Sequence, residues 1–340
     1  MQEPAAPVSP AEVIAKRPRV FYGWVIVAVS AVADMMAFGA GSASFSVFLG
    51  PMGAALGWSR TVLTGAVTLQ SLGNIVVSPI VGPIIDKHGP RILMVVGSII
   101  ACIAFMLMGN VTEPWQFYVL FTMATALGLQ EVGPFVTNAT VSKWFVRKRG
   151  RAIAITVLGN DVGTIVIAPL TAYVIDRAGW GTAWAVLGAM VVIFVVPPVL
   201  AFMKRAPEDM GLLPDGDLAP TADNPRPLRS ATEPRWTVRE ALRNRTTWLL
   251  VIASNLTSMG VSATITHQVA YFTDVGLTLQ AASFVFALNR VAAIVGKLSY
   301  GFIAEHVPVR YCMMSTQFGG AIGLLILLLG TTTDRVHHRL

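Results

Sequence analysis

The sequence predicts an all-α integral membrane protein, and three observations carry that prediction. Hydrophobic residues make up 54% of the 340-residue chain and charged residues only 13%, more apolar than a soluble globular surface tolerates. The apolar residues fall into repeated blocks of about 20 to 25, the length that crosses a bilayer core as a helix. The basic residues sit between those blocks without the interleaved aromatics of a nucleic-acid patch, so the net charge of +7 reads as a set of topology signals. The lipid bilayer is the expected partner and nucleic acid is not.

Residues 1–19 form a polar tail ending in Lys16, Arg17 and Arg19. The apolar run from Val20 to Leu49 reaches the small residues Gly41-Ser42-Ala43-Ser44, a signal-peptide outline, but it is much too long for the apolar core of a signal and carries Asp34 at its centre. It suits a retained first spanning helix over 20–49. Five more follow at 60–83, 92–109, 115–141, 152–174 and 181–203, giving a six-helix bundle over 20–203. Residues 204–246 are polar and contain Pro207, Pro214, Pro220, Pro225, Pro227 and Pro234, the composition of a solvated connecting loop. Helices at 247–272, 278–300 and 310–330 form a partial second bundle over 247–330, and 331–340 is a tail.

Short cytoplasmic loops collect Lys and Arg. One side of this chain holds Lys16, Arg17 and Arg19, then Lys87 and Arg91, then Lys143, Arg147, Lys148, Arg149 and Arg151, then the 204–246 loop and Arg310; the other holds little beyond Arg60 and Arg177. The N-terminus and the central loop are therefore expected in the cytoplasm of a multi-pass protein of the plasma or inner membrane.

Enzyme chemistry finds no foothold. Cys102 and Cys312 both lie in apolar stretches, with no disulfide framework or metal-ligand spacing, and packing is their expected role. No nucleotide-binding loop, nucleophile elbow or zinc-binding helix is present, which argues against a primary pump and a membrane hydrolase and leaves no cofactor to expect. Asn110-Val111-Thr112 matches a glycosylation acceptor, but a three-residue pattern is too frequent to carry a role.

The chain repeats itself. Slid so that Gly57 falls on Gly276, it also places Ser59 on Thr278, Gly82 on Gly301, Asp86 on Glu305 and Arg91 on Arg310, without a gap. Parallel repeats related by an axis along the membrane normal are one way transporters are built. The stretch Gly82-Pro-Ile-Ile-Asp86-Lys-His-Gly89-Pro-Arg91 resembles the signature loop of the major facilitator superfamily, and other stretches resemble its monocarboxylate and oxalate/formate branch. These are Phe21-Tyr22-Gly23-Trp24, Leu56-Gly57-Trp58-Ser59-Arg60, Lys143-Trp144-Phe145 through Arg149-Gly150-Arg151-Ala152, and Pro207-Glu208-Asp209-Met210-Gly211-Leu212-Leu213-Pro214-Asp215-Gly216-Asp217. The resemblance implies a major facilitator fold and a permease for a small organic anion, a monocarboxylate or dicarboxylate, working by alternating access with proton symport or anion exchange. That fold has twelve helices, whereas this chain ends three helices into its second half, so the competing expectation is a truncated, non-transporting remnant or membrane sensor. A second copy of the chain, as a homodimer, is one way to cover the faces left open.

Charges at membrane depth are costly, roughly +2.5–3.5 kcal/mol on insertion scales, and persist mainly where they face a polar path or a partner. Arg290 lies near the middle of its helix, and a guanidinium offers a rigid fork that binds a carboxylate bidentately at all working pH values. It also stands where the family resembled places its anion-binding arginine, with Asn289 and His267 as the other substrate-binding candidates. The competing reading is that Arg290 pairs with an acid across the bundle. Carriers of this branch usually place an Asp one turn before that arginine, but this chain has Phe286. Any coupled proton must then travel elsewhere, and Glu131, Asp34 and Asp161 are the candidates, since a desolvated carboxyl can hold a proton near neutrality. Each has the alternative role of an interhelical hydrogen-bond partner. The repeated loops, Gly82, Asp86, Gly89 and Arg91 with Gly301, Glu305 and Arg310, imply a gate built from salt bridges to neighbouring helix ends. Gly159 and Gly163, four apart, are read as a site of close helix contact.

Overall fold

The computed structural model describes residues 21–216, 238–274, 279–304 and 306–337, and those residues are all-helical apart from turns and loops. Five helical stretches among them are long and apolar enough to cross a membrane. The first is α1 (Gly23–Leu56), followed by α2 (Arg60–His88), α3 (Pro90–Met108) and α4 (Pro114–Trp144). The fifth, Arg149–Phe202, has 54 residues. At 1.5 Å per residue it would run about 80 Å, far more than one bilayer crossing. Gly179, with φ 80° and ψ 164°, breaks it into α5 (149–178) and α6 (180–202). Glycine is the residue that takes this conformation without strain. A short helix (Val238–Arg243) and three long ones complete the described chain: α7 (Arg245–Asp274), α8 (Leu279–Ile303) and α9 (Val309–His337).

Helix ends follow the local chemistry. Ser59 caps α2 by accepting from the Val62 amide at 3.3 Å, and Glu113 and Gln116 form a reciprocal capping box at the start of α4. The first helix extends seven residues past the expected limit of Leu49, because Pro51 is absorbed within it and the stop falls at Gly57, whose φ of 69° is left-handed. Two stretches widen into π-helix, Gly39–Ala43 in α1 and Met123–Leu129 in α4. Just beyond the second, α4 breaks at Gly133 and restarts at Pro134.

The core of α1–α6 gathers on Trp184 of α6. Its ring stacks on Phe48 of α1 with centroids 3.8 Å apart, and Phe105 of α3 and Phe121 of α4 close round it at 5.0 and 6.5 Å. The expected close contact at Gly159 and Gly163 is present between α5 and α1. A Cβ added at Gly159 would lie 2.1 Å from the Ala31 carbonyl oxygen, and one at Gly163 2.4 Å from that of Met35, so only hydrogen fits. Helix α8 packs on α5, where a Cβ on Gly301 would meet that of Ala154 at 2.6 Å and the Arg151 guanidinium lies 4.2 Å from the Phe302 ring centre. Helices α7, α8 and α9 are tied by polar contacts, Gln317 to Thr257 and Tyr300 to Ser315.

Candidate functional site

Asp161 stands on α5 two residues before Gly163, so the tight α1/α5 crossing fixes its backbone. Its side chain is 3% exposed, and it faces two cations of α8. The Lys297 ammonium lies 2.5 Å from Oδ2, and Nη1 of Arg290 lies 4.0 Å from Oδ1. Arg290 and Lys297 are seven residues apart, two helical turns, and so share a face of α8. Arg290 is 12% exposed and Lys297 34%. A rigid acid on one helix thus meets two long cations on the other. Helix α8 has no acid of its own one turn before Arg290, and α5 supplies it. Pairing across the bundle, the competing reading of Arg290, is therefore present. Asn289, next in the chain, is exposed. The His267 side chain, on α7, lies outside the described residues.

The acids of α1 and α4 sit differently. Asp34 is wholly buried and accepts from the Thr137 hydroxyl at 2.8 Å on Oδ1, while Oδ2 has no hydrogen-bond partner among the described residues. Glu131, 5% exposed, lies between the π-segment of α4 and the break at Gly133, its Cβ against Gly97 of α3, and neither carboxyl oxygen is hydrogen-bonded among the described residues. Both π-segments line one cavity of about 110 Å³, bordered by Gly41, Ser42, Gln70, Thr125, Leu129 and Gln130 among others. π-bulges widen a helix locally and recur at functional sites, which fits their convergence here.

At the end of the bundle where α2 passes into α3, the repeated loop is held by α4 and α6. Lys143 pairs with Asp86 at 2.8 Å, Arg91 donates to the Leu200 carbonyl, and Arg205 donates to that of Lys87 at 3.2 Å. Gly89 turns the chain with φ 80°, where an added Cβ would meet that of Arg205 at 2.9 Å; an added Cβ at Gly82 would meet nothing within 4 Å. The segment after α6 folds back so that Asp215 accepts from the amides of Val146, Arg147 and Lys148 at 3.0, 2.7 and 3.2 Å, capping the entry to α5. Phe21 packs edge-on against Phe145 with centroids 5.5 Å apart, and Tyr22 donates to the Phe202 carbonyl at 2.8 Å. In the second copy of the loop Gly301 serves the α5 crossing, Arg310 lies over Tyr311 at 4.7 Å, and Glu305 lies outside the described residues.

The model of the Major Facilitator Superfamily matches residues 7–337. The chain belongs to that superfamily. Its members are membrane transporters and not enzymes, so this is a multi-pass membrane protein of a transport family. Among curated relatives, it is similar to an oxalate:formate antiporter of Oxalobacter formigenes, 26% identical over 276 residues, covering 81% of this chain and 62% of the relative. It is also similar to monocarboxylate transporter 13 of Bos taurus, 22% identical over 311 residues, covering 88% and 66%. An MFS-type transporter of Aspergillus niger is 31% identical over 133 residues, 38% of this chain and 30% of that protein. The chain spans about 30 to 62% of the length of the first curated relatives it matches. The two fuller matches carry names from the branch that the sequence motifs resemble.

Residue order alone does not single out Lys297 as a membrane-depth charge. It stands close to the expected helix end at residue 300, where a lysine ordinarily snorkels to the interface. The signal that marks it is its spacing from Arg290, which puts both cations over the same stripe.

Proposed function

We propose that this major facilitator protein is a permease for a small organic anion, a monocarboxylate or dicarboxylate, with Arg290 as the anchor of the carboxylate. The single observation carrying this reading is the setting of Arg290: mid-helix on α8, nearly buried, and held near an acid of α5 at a distance longer than a hydrogen bond. A guanidinium fork at that depth suits a planar carboxylate better than an ammonium does. Asn289 and His267, one residue and one helix away, are the remaining candidates for the wall of the site.

In this reading α1–α6 form the first half of the transporter and α7–α9 belong to the second, with substrate between the halves and alternating access carrying it across. The positive loops favour a cytoplasmic N-terminus and 204–246 segment, and in this reading the Asp86–Lys143 pair and Arg91 contribute to the gate on that face. The protein resides in the plasma or inner membrane. Proton symport or exchange for a second anion drives the cycle, and Glu131 and Asp34, buried and without a cation among their hydrogen-bond partners in the described residues, are the carboxyls available for a proton.

Arg290→Lys keeps the charge and loses the fork, so carboxylate binding should weaken on the order of ten- to a hundredfold, the worth of one charge-assisted contact. Calorimetry with oxalate and formate on the purified chain measures it, with monodispersity checked in parallel. Parent-like binding by both Arg290→Lys and Arg290→Ala would remove the anion reading.

A further inference from the structure

We propose that the Asp161 carboxylate is a built-in competitor for the transported anion: it occupies the place between Lys297 and Arg290 that a substrate carboxylate takes, and substrate enters by displacing it. The proposal rests on the reading of Arg290 as the anion anchor and adds an assignment for two residues which that reading leaves without a role.

The geometry argues for competition in three steps. Asp161 is bonded to Lys297 at 2.5 Å but stands 4.0 Å from Arg290, beyond hydrogen-bonding distance, so the guanidinium is near this acid without being closed by it. A substrate oxygen within about 3 Å of Nη1 would then sit no more than about 7 Å from Asp161 Oδ1 and, from most approach directions, closer. Two carboxylates at that separation in a nearly dry site repel strongly. Asp161 cannot withdraw along its own helix, because α5 is locked to α1 by glycines at 159 and 163 that admit no side chain. Relief therefore requires α8 and its cations to move relative to Asp161, or the Asp161–Lys297 contact to open.

The lysine completes the logic. When substrate arrives its carboxylate takes over from Asp161, and when it leaves Asp161 returns, so the nearly buried Arg290 keeps an acid beside it in both states. Binding at Arg290 and release of the α5/α8 ion contact become one event, which links occupancy to the separation of the two helices.

Oxalate and formate binding to the purified chain, by calorimetry, decides the matter on Asp161→Asn, on the double variant Asp161→Asn/Lys297→Gln, and on Arg290→Ala. Removing the competitor should tighten binding by Asp161→Asn, roughly tenfold or more. The double variant removes one charge of each sign, keeps the local net charge, and should also bind more tightly than the parent. Parent-like or weaker binding by folded Asp161→Asn and by the double variant overturns the proposal. Failure of both to give a monodisperse, cooperatively melting protein overturns it too, since Asp161 is then a structural counter-ion. If binding is lost in Arg290→Ala but unchanged in the Asp161 variants, competition fails and the anion anchor stands. If Arg290→Ala binds like the parent, or nothing binds in any variant, the anchor reading falls and this proposal falls with it.

Discussion

Asp161 and Asp34 lie on helices packed against each other through glycine, both almost wholly buried, yet their surroundings differ in kind. Asp161 faces α8 and is shared by two cations, whereas Asp34 faces α4 and, among the described residues, is hydrogen-bonded by the Thr137 hydroxyl. Glu131 extends the second pattern, buried with neither oxygen hydrogen-bonded among the described residues. A charge closed by another charge on a different helix is broken when the helices move. An acid hydrogen-bonded within one packed bundle is untouched by such movement. The two regions therefore divide the expected work: the α5/α8 cluster reports on the relation between helices, and the α1/α4 acids belong to the interior of the first six.

The comparison depends on α1 and α5 being held as one body, and Gly159 is where it breaks most easily. A leucine there would drive its Cβ into the Ala31 carbonyl, a backbone atom that cannot swing aside, and the rest of the side chain into α1. Overpacking of this kind costs about 1–3 kcal/mol and occasionally more, and here the clash is with backbone. Gly159→Leu should lower the melting temperature of the purified protein more than any single charge change discussed here. A parent-like melt would mean that the crossing is looser than its geometry.

Asp161→Asn against Asp34→Asn sharpens the contrast directly. Breaking a buried pair by removing one partner costs about 3–5 kcal/mol. Lys297 is a third exposed, so solvent recovers part of that loss and about 1–3 kcal/mol is the expected destabilisation. Asparagine at 34 keeps an oxygen for the Thr137 hydroxyl, and its effect should stay within about 1 kcal/mol. Thermal unfolding in detergent compares the two variants on one scale. Equal losses would show that the acids are not distinguished by their partners.

Much of this was legible in residue order, and the limits have physical causes. Helix existence followed from apolar runs, while helix ends slipped where proline and glycine interrupt without stopping: Pro51 and Pro83 lie inside helices, and the expected stops at 49 and 83 gave way to 56 and 88. The π-segments of α1 and α4 have no period that composition shows. Arg290 and Asp161 could each be singled out from the cost of charge in hydrocarbon, but their pairing is a contact across more than a hundred residues that only packing fixes. The motifs that suggested the family have a physical reason visible only in the fold: Phe21, Tyr22, Phe145 and Asp215 come from three separate stretches and meet at one end of the bundle. Chain order kept that meeting hidden.

The smallest expected effect concerns the Asp86–Lys143 ion pair, whose two partners both lie within the first six helices. Lys143 and Asp86 lie within hydrogen-bonding distance, 2.8 Å, but Asp86 is 76% exposed and Lys143 30%. Water and salt screen such a pair, and exposed pairs contribute about 0–1 kcal/mol. Asp86→Asn should thus leave the melting temperature nearly unchanged at physiological ionic strength, in contrast to Asp161→Asn, although the distances in the two pairs are similar. The pair lies where the Arg91 and Arg205 side chains also tie the α2–α3 turn to α6, so the loop keeps its shape when one contact is lost. Measuring both variants at low and high salt separates burial from distance as the controlling variable. The difference between parent and Asp86→Asn should shrink as salt rises, while that for Asp161→Asn should hardly move. If Asp86→Asn destabilises as much as Asp161→Asn and salt does not relieve it, the turn is buried in the working protein by something that covers it, and the division between an exchangeable interior pair and a screened surface pair fails.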